Sequence, residues 1–63
     1  MCESSAYLVS TGGEEELILE DVVMMRPENG RILLTNILGD KKDLDAEIDH
    51  IDLLKHRIVL RKK

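Results

Sequence analysis

The sequence predicts an all-β fold, a small five-stranded, strongly twisted sheet curled into a partly open barrel of SH3-like or Sm-like form. Three observations predict it. Apolar residues come in short runs of Leu, Ile and Val, and turn chemistry falls between the runs at Thr11-Gly12-Gly13, Pro27-Glu28-Asn29-Gly30 and Leu38-Gly39-Asp40-Lys41. Between residues 43 and 49, Leu44, Ala46 and Ile48 alternate with Asp43, Asp45, Glu47 and Asp49, the period of a half-buried strand.

Each element follows from local chemistry. Glu3 to Ser10 reads as a first strand carrying Tyr7, Leu8 and Val9, and two glycines permit the reversal after Thr11. A second strand starts near Glu15, runs through Leu17, Ile18 and Leu19, bends near Glu20-Asp21 and continues to Met25. Pro27 to Gly30 ends it, since Pro fixes φ and Gly accepts positive φ. Arg31 to Ile37 is the third strand. The alternating stretch is the fourth, although Leu44, Ile48, Ile51 and Leu54 also share a helical face with Asp40 or Asp43 as a cap, so helix stays open for residues 41–54. After a turn at Leu53-Leu54-Lys55, His56 to Arg61 makes the last strand.

The 63 residues, 1–63, make one small domain, a size at which folding buries only about 60% of the surface the unfolded chain exposes. There is no Trp or Phe and Tyr7 is the single aromatic residue, so Leu, Ile and Val must form the core with help from Met24 and Met25. A core so thin gains from a partner subunit, and a curled sheet leaves edges open to a second chain. A homodimer is the expected state.

Charge is unevenly spread. Residues 1–30 hold seven acids and one base, residues 31–63 six acids and eight bases, together the net −4. An acidic half attracts cations, whereas phosphate backbones call for a basic patch, and the cluster Arg57, Arg61, Lys62 and Lys63 is short and terminal. A nucleic-acid partner is therefore disfavoured. No run approaches the roughly 20 apolar residues of a membrane span and no secretory pattern opens the chain, which makes the cytoplasm the expected location. A lone thiol also stays reduced there. Enzyme readings lack parts: there is no glycine-rich phosphate loop and no Cys-x-x-Cys.

The residue that points to function is Cys2, the only cysteine. Its thiolate, its own amide and the Met1 amine form a planar donor set closing five-membered chelate rings, which suits tetragonal Ni(II) or Cu(II). Were Met1 removed, Cys2 would offer amine and thiolate, and two protomers on a two-fold axis would supply four donors. His50 and His56, six residues apart, fit neither a helix face nor a zinc pattern and are read as surface or capping residues. The Glu14-Glu15-Glu16 run and the acids at 43, 45, 47 and 49 lack the glycine and distal Glu of a calcium loop and read as solvated faces.

Several segments together resemble the CooT family, small nickel-binding accessory proteins of carbon monoxide dehydrogenase maturation. They are the opening Met1-Cys2-Glu3-Ser4-Ser5-Ala6-Tyr7-Leu8, Glu15 to Val22, Gly30-Arg31-Ile32-Leu33-Leu34 and Asp52 to Leu60. The opening is the specific part. The resemblance implies a homodimer that binds Ni(II) through Cys2 near the subunit interface, with the Met1 amine as second ligand, and passes the metal towards the dehydrogenase or its maturation proteins. It implies binding and delivery, with no catalysis. The competing readings are an RNA-binding module on a Sm-like barrel and a structural dimer that docks by edge-strand addition.

Overall fold

The computed structural model describes residues 3–63. It is all-β, as expected, but with six strands: β1 (Ser4–Val9), β2 (Glu15–Glu28), β3 (Arg31–Asn36), β4 (Lys41–Leu44), β5 (Ala46–Asp52) and β6 (Arg57–Lys62). They form one sheet in the order β4-β3-β2-β1-β6-β5. All neighbours are antiparallel except β1 and β6, which run parallel from Ser5 beside Arg57 to Val9 beside Arg61.

The strand count is corrected at residues 41–54. This segment is extended, which removes the helical alternative, yet it is two strands, because β4 pairs with β3 at one edge of the sheet and β5 pairs with β6 at the other. Only Asp45 separates them. One residue can join opposite edges only if the sheet curls until they meet, and β5 does approach β3 across the interior. Ala46, 2% exposed, supplies the small side chain this convergence needs. The curled sheet is not closed by a ladder between β4 and β5.

β2 bends where the sequence placed the bend. Asp21 has φ of 56°, and Val22 is the hinge of the pairing, opposite Ser4 of β1 on one side and Asn36 of β3 on the other. The end of β2 differs from expectation: Pro27 lies inside the strand, and the reversal is the two residues Asn29 and Gly30, at φ of 51° and 76°. Positive φ at both positions is the turn that matches strand twist, so Asn-Gly alone specifies it. Pro27 is tolerated because Glu28 and Arg31 flank the turn as a hydrogen-bonded pair, which leaves Pro27 and Ile32 as the next, non-bonded pair, with the Pro nitrogen facing away from β3.

β3 ends at Asn36, one residue earlier than expected. The Asn36 Oδ1 accepts the N–H groups of Leu38 and Asp40 at 3.0 and 2.8 Å, and its carbonyl accepts that of Gly39 at 3.0 Å. This side chain, 8% exposed, builds the β3–β4 turn.

The inner face carries the core: Ala6, Leu19, Val22, Ile32, Leu34, Ala46, Ile58 and Leu60, with Leu8, Ile18, Met25 and Leu44 packed against it. Of the two methionines expected there, Met25 joins the core and Met24 is 40% exposed. Successive side chains on a strand point to opposite faces, and only one of the pair can reach the interior.

Candidate metal-capture site at the start of strand β1

The expected ligands, Cys2 and Met1, lie outside the described residues. Their chain neighbours are described. β1 is an interior strand, held by β2 on one side and β6 on the other, so its first residues sit in the middle of the sheet rather than at a loose edge. Ser4 stands opposite Val22, and the Ser5 N–H donates to the His56 carbonyl at 3.0 Å.

That bond brings the main chain of His56, an exposed residue as expected, to the start of β1. The parallel register, Ser5 beside Arg57, sets His56 level with Ser4, at the start of β1. His56 has φ of 55°, a left-handed residue that turns the chain into β6. His50 stays apart, on β5 opposite Val59, with its Nδ1 2.7 Å from Asp49 Oδ2. The sequence alone concealed the neighbourhood of His56, because it depends on a parallel pairing between the first and last strands, fifty residues apart.

The same end of the sheet carries exposed apolar side chains. Val23 follows the hinge residue Val22, Ile37 donates its N–H to the Asp21 carbonyl, and Leu53 and Leu54 occupy the β5–β6 turn. They are 63%, 57%, 82% and 89% exposed. Two leucines at the tip of a turn, where polar residues are the rule, were the available sequence signal.

Two charge pairs lie elsewhere. Arg31 donates to Asp43 at 2.8 Å at the far end of β3 and β4, and Arg61 donates to Glu47 at 2.9 Å beside the end of β1. The hydrogen bond and charge of Asp43 raise the pKa of Arg31; those of Glu47 raise that of Arg61, which in turn lowers that of Glu47. Among the described residues no cluster of three or more His, Cys, Asp or Glu side chains is placed to hold a metal ion. In the acidic runs, Glu14, Glu15, Glu16, Asp43, Asp45 and Asp49 are exposed and Glu47 is half-buried.

Comparison with known proteins gives a consistent assignment. A family model described as CO dehydrogenase accessory protein CooT matches residues 1–61. A crystal structure assigned to CooT from Carboxydothermus hydrogenoformans is 42% identical, covers 98% of each chain and superposes with a TM-score of 0.88. An uncharacterized protein of Methanothermobacter thermautotrophicus is 40% identical over 60 residues, 95% of this chain and 88% of that one. Another, of Methanocaldococcus jannaschii, is 30% identical over 60 residues, 95% of this chain and 96% of its own. With all but the last residue of its β-sheet and its Met1-Cys2 opening inside the matched span, the chain belongs to the CooT family of CO dehydrogenase accessory proteins.

Proposed function

We propose that the protein captures Ni(II) through the Cys2 thiolate and amide with the Met1 amine, as a cytoplasmic homodimer, and supplies the ion for CO dehydrogenase maturation. The observation that carries this reading is where the chain beside Cys2 enters the fold. Ser4 and Ser5 are fixed between β2 and β6, at the end of the sheet that bears Val23, Ile37, Leu53 and Leu54. Exposed apolar residues at the end of the sheet where Ser4 and Ser5 lie favour a second copy of the chain packed there, which would bring two Cys2 residues near a two-fold axis. Accessory function in metallocentre assembly asks for an ion held by few donors at an accessible terminus, from which it can be released. It asks for no catalytic group.

Titration of reduced protein with Ni(II), followed by thiolate-to-nickel charge-transfer absorption and by sedimentation, tests the proposal. Cys2→Ser should abolish the absorption, whereas His50→Ala should leave it intact. Full nickel affinity in Cys2→Ser would move the site elsewhere.

A further inference from the structure

The two halves of β2 have different partners, and each half leaves one backbone edge open. From Glu15 to Leu19 the strand pairs with β1; from Met24 to Glu28 it pairs with β3. β3 leaves the ladder at Asn36, where the buried Asn36 side chain folds it into a turn, and its last contact with the first half of β2 is the Ile37 N–H bond to the Asp21 carbonyl at 2.9 Å. Among the described residues, no backbone group bonds to the side of Glu15–Glu20 turned away from β1.

Register shows which groups are open. Ser10 donates to the Glu14 carbonyl at 2.9 Å, making Ser10 and Glu14 a bonded pair. In an antiparallel ladder bonded and non-bonded pairs alternate, so Val9–Glu15 is non-bonded, Leu8–Glu16 bonded and Tyr7–Leu17 non-bonded. The N–H and C=O groups of Glu15 and Leu17 therefore point outward, up to the Asp21 carbonyl, which Ile37 already occupies. Beside them runs a shallow groove of about 350 Å³ lined by Leu17, Leu19, Glu20, Asp21, Asn36 and Leu38. Leu17 and Leu38 are 47% and 82% exposed.

We propose that this edge docks an extended segment of a partner protein by strand addition, in the ladder position that β3 vacates, and that the segment alternates basic with apolar residues. Charge selects the occupant. Glu14, Glu16, Glu20 and Asp21 flank the edge and make no ion pair among the described residues, while Glu15 is engaged by Arg57. A second copy adding through the same edge would set these acids against their own kind, which is destabilising for directly opposed charges. A basic segment meets them favourably, with an apolar side chain between Leu17 and Leu38. The register shift between Ala6 and Tyr7 twists the edge and limits the docking length to a few residues, as suits a short segment rather than open-ended stacking.

The proposal is independent of nickel and is tested on the metal-free full chain, so its failure leaves the metal reading untouched. Isotope-labelled protein is titrated with a peptide alternating lysine and valine, and with a control alternating glutamate and valine, while amide shifts and hydrogen exchange are read by NMR. The expected result is that the lysine peptide slows exchange of the Leu17 amide at least tenfold and the glutamate peptide does not. Leu17→Pro, which removes the outward N–H without touching the bonds to β1, should abolish the lysine-peptide shifts at the remaining amides of residues 15–21. Leu38→Asn, an uncharged change at a residue 82% exposed, should weaken lysine-peptide binding by removing the apolar contact. The proposal is overturned if both peptides act alike, if shifts map away from residues 15–21, if Leu38→Asn binds as the parent does, or if the unliganded protein already protects Leu17 in a concentration-dependent way, which would assign the edge to a second copy.

Discussion

The guanidinium of Arg57 lies 4.2 Å from the centre of the Tyr7 ring and its NH2 group donates to Glu15. Strands β6, β1 and β2 are adjacent in the middle of the sheet, so this one side chain crosses three neighbouring strands and ties the last strand to the first two. Planar stacking on an aromatic face and a directed bond to a carboxylate are what guanidinium supplies and ammonium does not. The partly exposed cation–π contact contributes roughly 0.5–1 kcal/mol and the ion pair less. Arg57→Ala should therefore lower unfolding free energy by about 1 kcal/mol, with Arg57→Lys close to it, measured by urea denaturation.

Leu34 and Leu60 are both fully buried, from opposite sides of the curled sheet. Large-to-small changes at such positions cost about 2–5 kcal/mol, a large share of what a domain this short possesses. Leu34→Ala should leave the protein largely unfolded or molten at 37 °C by circular dichroism, while Leu34→Met stays folded.

Asn36 is a buried polar residue whose loss leaves the Leu38 and Asp40 N–H groups without their acceptor. An unsatisfied donor in a partly buried turn costs about 1–3 kcal/mol. Asn36→Ala should destabilise by that amount and speed amide exchange in residues 37–40, whereas an acceptor-retaining Asn36→Asp should protect the turn better than Asn36→Ala does.

Arg61 holds the Glu47 carboxyl below the usual range. A carboxyl depressed in the folded state contributes stability above its unfolded pKa, about 4.3, and that contribution disappears as pH falls through the lower folded value. Both side chains are half exposed, so the effect is small and salt-sensitive. Comparing urea midpoints of the parent and Glu47→Gln from pH 6 to pH 2 should show a modest excess for the parent at pH 6 that vanishes at the acid end and shrinks in high salt.

How much of this was legible in the sequence divides along locality. The strands, the bend near Asp21 and the Asn29-Gly30 reversal are local, encoded in alternation and in residues that accept positive φ, and they were readable. The break at Asp45 was hidden because alternation continues across it: Leu44 and Ala46 both face inward, and nothing short of the pairing partners reveals that they belong to opposite edges. Likewise the nearness of His56 to the start of β1 and the open edge of β2 depend on strand order. Cys2 was conspicuous as a chemical group, and the company that Ser4 and Ser5 keep at that end of the sheet became visible only through the β1–β6 pairing.

That company leads to the last prediction. If a second copy packs over the β5–β6 turn, then Leu54, 89% exposed in the single chain, becomes buried, and a charge there is penalised in the dimer but harmless in the monomer. Leu54→Asp should therefore keep the parent circular dichroism while shifting sedimentation to the monomer. If the two Cys2 thiolates share one ion, the variant should bind nickel at least tenfold more weakly, because the second pair of donors then arrives only at high protein concentration. In both proteins affinity should fall as pH drops below the thiol pKa, since the ion competes with a proton for sulfur. A monomeric Leu54→Asp that binds nickel as tightly as the parent would show that each chain holds its own ion, with Met1 and Cys2 sufficient as a chelate. A variant that remains dimeric would place the subunit contact away from this turn.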